Sequence, residues 1–582
     1  MRASFFTGLY LAAFSTLASA AALPSTPTLG ESTPALEERA DSQCTHGPTS
    51  RACWSSGYSI ATDFDQKAPT TGKTVTYDLT VTNTTCNPDG NGARTCLLIN
   101  NQYPGPLIRA SWGDNLVITV HNKMQDNGTS IHWHGVRQLN SMGSDGVGGV
   151  TECPIAPGDS KTYRFRVTQF GTSWYHSHFS AQYGEGVIGP MIFDGPATAN
   201  YDEDLGTFML NEWFYKTASS INAVSKNRAG PPGDNVLING QNKNANGGGE
   251  YGKITIESGK KYRLRFINSA VDNFYYVSLD NHPLQVITSD FIPIRPFYTN
   301  SLLIAIGQRY DVIINANQTA GNYWLRVDNA VECATQNLLS GRNIVTYKGV
   351  SVATPSSQAY PPPKTCDESP ILAPYWKQPV PSSTFTSTVR QLDISLDTGK
   401  TATDGDTIVL WRLNETSLDV DWAKPTVQYV LDGNNSFPES YNVRQTVNPN
   451  SWNYWVIQQK SLPTPPIPHP IHLHGHDYFV LGQGTGNYST GIQLNYDTPP
   501  RRDTAIVPGA GWMVIAFPSN NPGTWLMHCH IAWHVSGGLG SQFLESPSQI
   551  PAEIDRGTHD QTCANWKKYV PNMKYVKDDS GL

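Results

Sequence analysis

The stretch His528-Cys529-His530-Ile531-Ala532-Trp533-His534 places one cysteine between two histidines, and a third histidine follows five residues after the cysteine. On an extended strand, successive side chains point to opposite faces, so His528 and His530 would face one way and Cys529 the other. If all of these side chains bind metal, one strand contacts two different metal sites. The two sites would be joined by only a few covalent bonds. The stretch therefore predicts electron transfer between two separated redox centres.

Histidines elsewhere in the chain repeat this spacing. The fifteen histidines include five His-x-His pairs, at 132/134, 176/178, 472/474, 474/476 and 528/530. An i, i+2 spacing lets one strand aim two imidazoles at one metal or at two adjacent metals. Two clusters lie in the first third of the chain and two in the last, whereas the middle contains only His282. We therefore predict a metal site shared between the first and last domains.

The ligand types indicate copper. One thiolate and two imidazoles, from Cys529, His534 and His469, suit a blue-copper electron-transfer centre. Zinc is the alternative, because cysteine and histidine also bind zinc. Zinc does not explain eight further histidines in four pairs with no second cysteine or carboxylate among them. We therefore expect copper.

Length and composition predict an all-β chain of several domains. The 582 residues exceed what one core usually serves, and 50 glycines and 41 prolines separate strand-like runs such as 116–120, 163–167, 262–267 and 310–314. We predict three sandwich or barrel domains at 41–195, 196–355 and 387–582, with a Pro/Ser-rich linker at 356–386. The net charge of −7 and the absence of a basic stripe argue against nucleic acid as a partner.

The N-terminus predicts secretion. Residues 1–20 combine Arg2, an apolar run and a small-residue cleavage site at 18–20, which is typical of a signal peptide; a buried N-terminal helix is the alternative. Residues 21–40 resemble a pro-segment. No other stretch could span a bilayer, so we expect no membrane partner. We also expect N-linked glycans at Asn-x-Ser/Thr sites, which begin at Asn83, Asn127, Asn317, Asn414, Asn434 and Asn487.

The cysteine count supports an oxidising compartment. An odd number of cysteines, nine, leaves at least one thiol unpaired, and Cys529 among its histidines is the obvious candidate. Cys44 and Cys53 are close in sequence, and so are Cys86 and Cys96, which bracket a turn. Spacing alone does not determine how the remaining four pair: Cys153, Cys333, Cys366 and Cys563.

The four histidine motifs resemble the copper motifs of multicopper oxidases, in the same order. They read HWHG from 132, HSH from 176, HPIHLHGH from 469 and HCHIAWH from 528. The longer string HCHIAWHVSGGL, the Cys-rich segment ending at 51–54 and the final DSGL make the chain most similar to fungal laccases of the ascomycete kind. This resemblance implies three cupredoxin-like Greek-key β-barrel domains.

The resemblance also implies four copper ions. The type 1 copper would be held by His469, Cys529 and His534, and the type 2 copper by His132 and His472. The type 3 pair would be held by His134, His176, His178, His474, His528 and His530. His476 would be structural, and His46, His121, His282 and His559 ordinary histidines.

The implied reaction removes single electrons from phenols at the type 1 site and uses four of them to reduce dioxygen to two waters. Cys529, His528 and His530 would carry the electrons. We expect a monomer with dioxygen and small phenols as its partners. Another multicopper oxidase, acting on bilirubin, ascorbate or ferrous iron, is an alternative. A non-catalytic secreted copper protein and a purely structural glycoprotein are others.

Further residues take roles by resemblance. Asp272 would accept the phenol proton, and Asp145 would relay protons to the three-copper cluster; each could instead be an ordinary acid. Many basidiomycete-type laccases have an acid three residues after the copper cysteine, where this chain has Ala532, so proton delivery must use another group. Leu539 would occupy the axial type 1 position without coordinating, which raises the potential. It could equally be a core residue.

The final four residues, Asp579, Ser580, Gly581 and Leu582, resemble a tail that plugs a solvent channel to the cluster. The alternative is a frayed terminus, as most chain ends are.

Overall fold

The first third of the chain forms two four-stranded sheets and a short hairpin. The computed structural model describes residues 44–582 except 56, 227–229, 336, 338, 369–370, 401–406, 447, 461–465 and 576. The sheets have the orders β4-β3-β6-β8 and β5-β10-β9-β7. The strands are β1 (Cys53–Ser55), β2 (Tyr58–Ser59), β3 (Thr74–Cys86), β4 (Arg94–Ile99), β5 (Ile108–Ser111), β6 (Asn115–Asn122), β7 (Ile131–Trp133), β8 (Ser160–Arg166), β9 (Gly171–Ser177) and β10 (Ile188–Asp194).

The middle third forms a six-stranded and a five-stranded sheet. Their orders are β12-β11-β14-β19-β16-β17 and β13-β21-β20-β15-β18. The strands are β11 (Glu203–Trp213), β12 (Asn235–Ile238), β13 (Gly252–Ile256), β14 (Lys261–Asn268), β15 (Tyr275–Leu279), β16 (Leu284–Ser289), β17 (Ile292–Thr299), β18 (Leu302–Ile304), β19 (Arg309–Asn315), β20 (Asn322–Asn329) and β21 (Ser340–Tyr347).

The last third repeats this plan with the sheets β23-β22-β25-β30-β27-β28 and β24-β32-β31-β26-β29. The strands are β22 (Arg390–Lys400), β23 (Thr407–Leu413), β24 (Val443–Gln445), β25 (Trp452–Gln459), β26 (His469–Leu473), β27 (Tyr478–Thr485), β28 (Arg501–Arg502), β29 (Thr504–Val507), β30 (Gly511–Pro518), β31 (Gly523–Cys529) and β32 (Gly540–Glu545). Three pairs of sheets thus follow one another along the chain. The predicted all-β class is confirmed, and the domain boundaries stay a proposal.

Helices are short and lie between strands or after the last one. The α-helices are α1 (Ala218–Ser225), α2 (Phe385–Thr388), α3 (Thr426–Leu431), α4 (Ala532–Ser536) and α5 (Arg556–Tyr569), and the 3-10 turns are Met142–Ser144, Ser180–Glu185, Val331–Cys333, Glu439–Tyr441, Ile550–Glu553 and Val570–Asn572. The sequence did not predict α5, because its residues are largely polar and show no strong period. Its start is capped by the Asp555 carboxylate, which accepts from the Thr558 amide.

Strand periodicity explains the cores. On β6, Leu116, Ile118 and Val120 are buried and their neighbours are half-exposed, which is the pattern of a strand with one face on the core. On β14 the alternating arginines are buried as well. Arg263 pairs with Asp311, and Arg265 pairs with Asp204, so a strand that looks amphipathic is covered on both faces.

Four disulfides form. Cys44–Cys53 and Cys86–Cys96 join the pairs that are close in sequence. The pairing left open by spacing is Cys153–Cys563 and Cys333–Cys366. The Cys153–Cys563 disulfide joins α5 to the first third of the chain. In the described part of the chain, Cys529 is the one free thiol, and it is buried.

Two predictions about the N-terminal end of the chain, the signal peptide (1–20) and the pro-segment (21–40), lie outside the described residues. Across the ranges that the structure does describe, no helix is long and apolar enough to cross a membrane.

Candidate metal centres

The first centre consists of one thiol and two imidazoles. The Sγ atom of Cys529 lies 3.5 Å from His469 Nδ1 and 3.5 Å from His534 Nδ1, and the two nitrogens are 3.1 Å apart. All three residues are buried. This N₂S set is the trigonal donor set of a blue-copper site. Sequence reasoning grouped the same three residues.

Three elements bring these ligands together. Cys529 ends β31 and pairs with Ile471 of β26, the strand that His469 begins. His534 lies in the last turn of α4, which follows directly after β31. The Trp411 ring of β23 packs against both imidazoles, at centroid distances of 4.3 Å from His534 and 4.9 Å from His469. Sequence reasoning missed this indole, because nothing in the sequence ties residue 411 to the copper motifs.

The protonation states favour a metal ion. Burial lowers the pKa of His469 to about 3, so its imidazole is neutral and offers a lone pair. Burial raises the pKa of the Cys529 thiol well above its usual value. A buried thiolate without a positive partner is therefore unfavourable, and a bound cation supplies that partner.

The second centre is a cluster of eight buried histidines drawn from all four motifs. Three overlapping groups each bring their ligand nitrogens within 4.8 Å: His132 with His472 and His474, His132 with His134 and His176, and His178 with His474 and His528. His530 completes the cluster, with its Nε2 3.2 Å from His134 Nδ1.

Strand register produces this convergence. His132 on β7 lies directly opposite His176 on β9, and His472 on β26 lies opposite His528 on β31. Two strand pairs, one from each end of the chain, thus point imidazoles into one space. The predicted site between the first and last thirds of the chain matches this arrangement.

Orphaned nitrogens test whether metal fits the cluster. The Nδ1–H groups of His132, His176 and His528 donate to the carbonyls of Asp145, Ser177 and Cys529 at 2.8, 2.9 and 2.9 Å. Within the described residues, the buried Nε2 atoms of His132, His176 and His472 have no hydrogen-bond partner. Buried lone pairs without partners are costly, and a metal ion would satisfy them. The donor set therefore fits metal.

The comparisons with known proteins agree with this donor chemistry. Three family models, each described as multicopper oxidase, match residues 80–198, 204–349 and 414–549. The chain belongs to the multicopper oxidase family.

Fungal laccases are among the relatives of this oxidase. Laccase-3 of Botryotinia fuckeliana is 52% identical over 76% of this chain and 100% of its own length. A laccase of Neurospora crassa is 44% identical over 92% of this chain and 89% of its own length. The crystal structure of the laccase from Botrytis aclada superposes with a TM-score of 0.87, at 43% identity, over 93% of this chain and all of that one. The multicopper oxidase binds copper, and its cupredoxin-like fold is confirmed.

Two buried carboxylates orient the cluster of this oxidase. The Asp145 carboxylate lies 3.3 Å from His132 Nδ1 and 3.1 Å from His474 Nδ1. Asp503 lies 3.3 Å from His134 Nε2, and its backbone carbonyl accepts from His472 Nδ1 at 2.9 Å. Both oxygens of Asp503 accept from Arg309, so this aspartate is held in place beside the ligands. It also forms, with His134 and His472, a further group whose donor atoms lie within 4.8 Å of one another.

Sequence reasoning identified Asp145 but missed Asp503. The one sequence feature that could have drawn attention to Asp503 is the charged string Arg501-Arg502-Asp503, which is buried in the structure. The role of Asp503 depends on its contact with Arg309 of β19, which the sequence does not connect to residue 503. Burial alone would raise the pKa of Asp503, but the charge of Arg309 holds it well below the usual value. Asp503 is therefore a permanent anion beside the histidines.

His476 stays outside the two ligand groups. Its Nδ1 donates to the His474 carbonyl at 3.2 Å, and its Nε2 lies 3.1 Å from Glu545. The structure thus places His476 in contact with backbone and a carboxylate, which fits a structural role. The residue proposed for the axial position, Leu539, is buried, and its carbonyl accepts from the Cys529 amide at 3.1 Å.

Asp272 lies beside the first centre. It is partly exposed and follows β14, and the adjacent Val271 carbonyl accepts at 2.8 Å from the amide of Ala532, which is two residues before His534 on α4. Burial raises the pKa of Asp272 to about 7. Its carboxyl can therefore accept a proton near neutral pH.

The C-terminal residues are anchored rather than frayed. The Ser580 hydroxyl donates to the Val535 carbonyl at 2.6 Å, and the Gly581 carbonyl accepts from Trp422 Nε1 at 2.9 Å. Asp579 accepts from the Asn222 amide group at 2.9 Å. Leu582 is buried and lines a small cavity with four cluster histidines, His176, His178, His528 and His530. The chain end thus reaches the cluster.

Proposed function

We propose that this oxidase is a laccase, which removes one electron at a time from phenols and reduces dioxygen to water. The observation that carries the proposal is the placement of Cys529 in the N₂S group while its chain neighbours His528 and His530 lie in the eight-histidine cluster. A short covalent path joins the two groups. Copper, when bound, supplies the one-electron redox chemistry and the reduction of oxygen.

The proposed enzyme holds four copper ions. His469, Cys529 and His534 would hold the type 1 ion, and His132 and His472 the type 2 ion. The type 3 pair would be held by His134, His176, His178, His474, His528 and His530. The unpartnered buried nitrogens support this assignment.

Protein acids would move the protons. Asp272 takes the phenol proton, since it lies beside α4 and its pKa is raised to about 7. Asp145 contacts His132 and His474 and would relay protons for oxygen reduction. Ala532 provides no acid at the position used by many other laccases, so Asp145 is the proposed route. Leu539 leaves the type 1 axial position without a donor.

The C-terminal residues Asp579, Ser580, Gly581 and Leu582 would close the channel to the cluster. Their support is the anchoring of Ser580 and Gly581 and the position of Leu582 beside four histidines. We further propose that the protein is a secreted monomer. Its Asn83, Asn317, Asn434 and Asn487 sites are exposed and would carry N-linked glycans.

The test compares three donors with one preparation. Copper is counted per chain, and oxygen uptake is measured with 2,6-dimethoxyphenol, ascorbate and Fe(II). We expect four coppers, a strong red absorption band and fastest uptake with the phenol. Faster turnover of Fe(II) or ascorbate would assign the enzyme to another kind of multicopper oxidase. Full copper without oxygen uptake would make it a copper-binding protein.

A further inference from the structure

A second buried carboxyl lies behind Asp272. Glu212 is near the end of β11 and is 6% exposed. In the ranges that the structure describes, no lysine or arginine forms an ion pair with it. The mechanism proposed above does not use this residue, and sequence reasoning did not single it out.

The Glu212 carboxylate joins two loops. Its Oε2 accepts from the Asp272 amide at 3.1 Å, and its Oε1 accepts from the Gly233 amide at 3.0 Å. Gly233 cannot carry a side chain there, because a Cβ would lie 2.5 Å from Glu212 Cγ and 2.7 Å from Oε1. The carboxylate therefore fixes the backbone that presents Asp272, and the chain leaves space for it.

We propose that Glu212 is a positioning residue of the substrate site: its carboxyl group holds the Asp272 backbone where the Asp272 carboxylate can take the phenol proton. This inference rests on the proposed laccase function. Each oxygen of the Glu212 carboxyl accepts from one loop amide, so a side chain of the same length that lacks one acceptor cannot join the two loops in the same way.

The proposed step is balanced as follows. The phenol O–H bond breaks, its proton goes to the Asp272 carboxylate, and its electron leaves towards His534, one of the residues that would hold the one-electron oxidant, copper. The product is a neutral phenoxyl radical, and Asp272 then releases its proton to water. Glu212 keeps its two amide contacts throughout and holds Asp272 in place for the transfer.

The other titratable groups around Glu212 and Asp272 have raised pKa values. Burial raises the pKa of the Tyr183 and Tyr275 hydroxyls, and the charges of Glu212 and Asp272 raise both further, so both stay neutral. Burial raises the pKa of the Cys529 thiol on β31, and the charge of Asp272 raises it further. For Glu212 itself, burial and then the Asp272 charge raise the pKa well above its ordinary value.

The test is Glu212→Gln in the copper-loaded enzyme. The kcat/KM for 2,6-dimethoxyphenol should fall several-fold, because the NH₂ group of glutamine cannot accept from one of the two backbone amides and Asp272 loses its fixed place. The rate with ferrocyanide, which loses no proton, and the type 1 absorption should not change. Glu185→Gln is the matched control, since Glu185 is also a buried acid but accepts from Arg94 and Ser219. Its phenol profile should match the parent.

A phenol profile for Glu212→Gln that overlays the parent would overturn the inference while leaving the laccase proposal intact. If the parent itself prefers Fe(II) or ascorbate, the laccase proposal fails instead. Glu212→Asp covers the case in which the glutamine variant does not fold or load copper. It keeps the carboxyl group but shortens the reach to the Asp272 amide, so the phenol KM should rise several-fold with ferrocyanide oxidation unchanged. A parent-like phenol KM in that variant would also overturn the inference.

Discussion

Replacing Asp503 by Asn should remove copper from the eight-histidine cluster. Asp503 meets the two terminal nitrogens of Arg309 at 2.7 Å each, and the same carboxylate lies 3.3 Å from His134 Nε2. The backbone carbonyl that orients His472 is kept in the variant. The substitution therefore removes the charge that orients His134 and leaves the His472 contact in place.

The Asp503→Asn substitution should weaken copper binding and lower stability, and the contacts of Asp503 give the size of both effects. Loss of a group that orients a metal ligand costs about 10–100-fold in metal affinity, which is about 1.4–2.7 kcal/mol. Breaking a buried ion pair costs about 3–5 kcal/mol of stability. Asp290 Oδ1 lies 3.5 Å from Arg309 and still neutralises part of the Arg309 charge in the variant. We therefore expect the free energy of unfolding to fall by about 3 kcal/mol.

The assay is copper per chain after dialysis against graded chelator, followed by type 1 absorption and oxygen uptake. We expect the Asp503→Asn enzyme to keep its type 1 band. It should lose cluster copper at a chelator concentration about 10–100-fold lower than the parent does. Oxygen uptake should fall with that copper. The effect should not depend on pH between neutral and mildly acidic conditions. Arg309 holds the pKa of Asp503 low, so the carboxylate contributes stability above its unfolded-state pKa and loses it only as pH falls through the lower folded-state pKa.

Asp311→Asn is the matched control. Asp311 is equally buried and pairs with Arg263, but it contacts no histidine of the cluster. It should lose stability and keep its copper. An Asp503→Asn enzyme that holds cluster copper as tightly as the parent would refute the orienting role.

Three further outcomes are expected. With Asp272→Asn, phenol kcat/KM should fall by about 10²-fold at pH 7 while ferrocyanide turnover stays unchanged. In the parent, phenol kcat/KM should rise with pH through about 7, as the Asp272 carboxyl ionises. Leu539→Met should lower the type 1 potential in a redox titration, because a thioether donor stabilises the oxidised ion. Deleting 579–582 should cost about 1.5–3 kcal/mol for the buried Leu582 side chain and change the oxygen KM, measured by oxygen electrode.

Each of these three results has a contrary outcome. An unchanged phenol pH profile in Asp272→Asn would remove Asp272 from the proton step. A potential that does not fall in Leu539→Met would contradict the axial assignment. Parent-like oxygen kinetics after the deletion would show that the tail is anchored without gating the cluster.

Candidate ligands could be predicted from the sequence because the spacing that brings donor atoms together on a strand is local. The pair His132 and His134, with period two on a strand, must point to one side, and Cys529 between two histidines must point to the other. Strand composition likewise predicted runs such as 116–120 and 262–267, which lie within β6 and β14. Helix α5 was not predicted, since it is held by the Cys153–Cys563 disulfide and its Asp555 cap rather than by an apolar period.

The amino-acid order by itself predicted the candidate donors, because alternation along a strand is fixed by backbone geometry. It also paired His474 with His476, which the structure places against Glu545. Only the tertiary structure decided what surrounds those donors. Arg309 beside Asp503, Glu212 behind Asp272 and Leu582 beside the cluster each join segments far apart in the chain. Such contacts arise from how sheets pack and loops close, and no local pattern of residues encodes them.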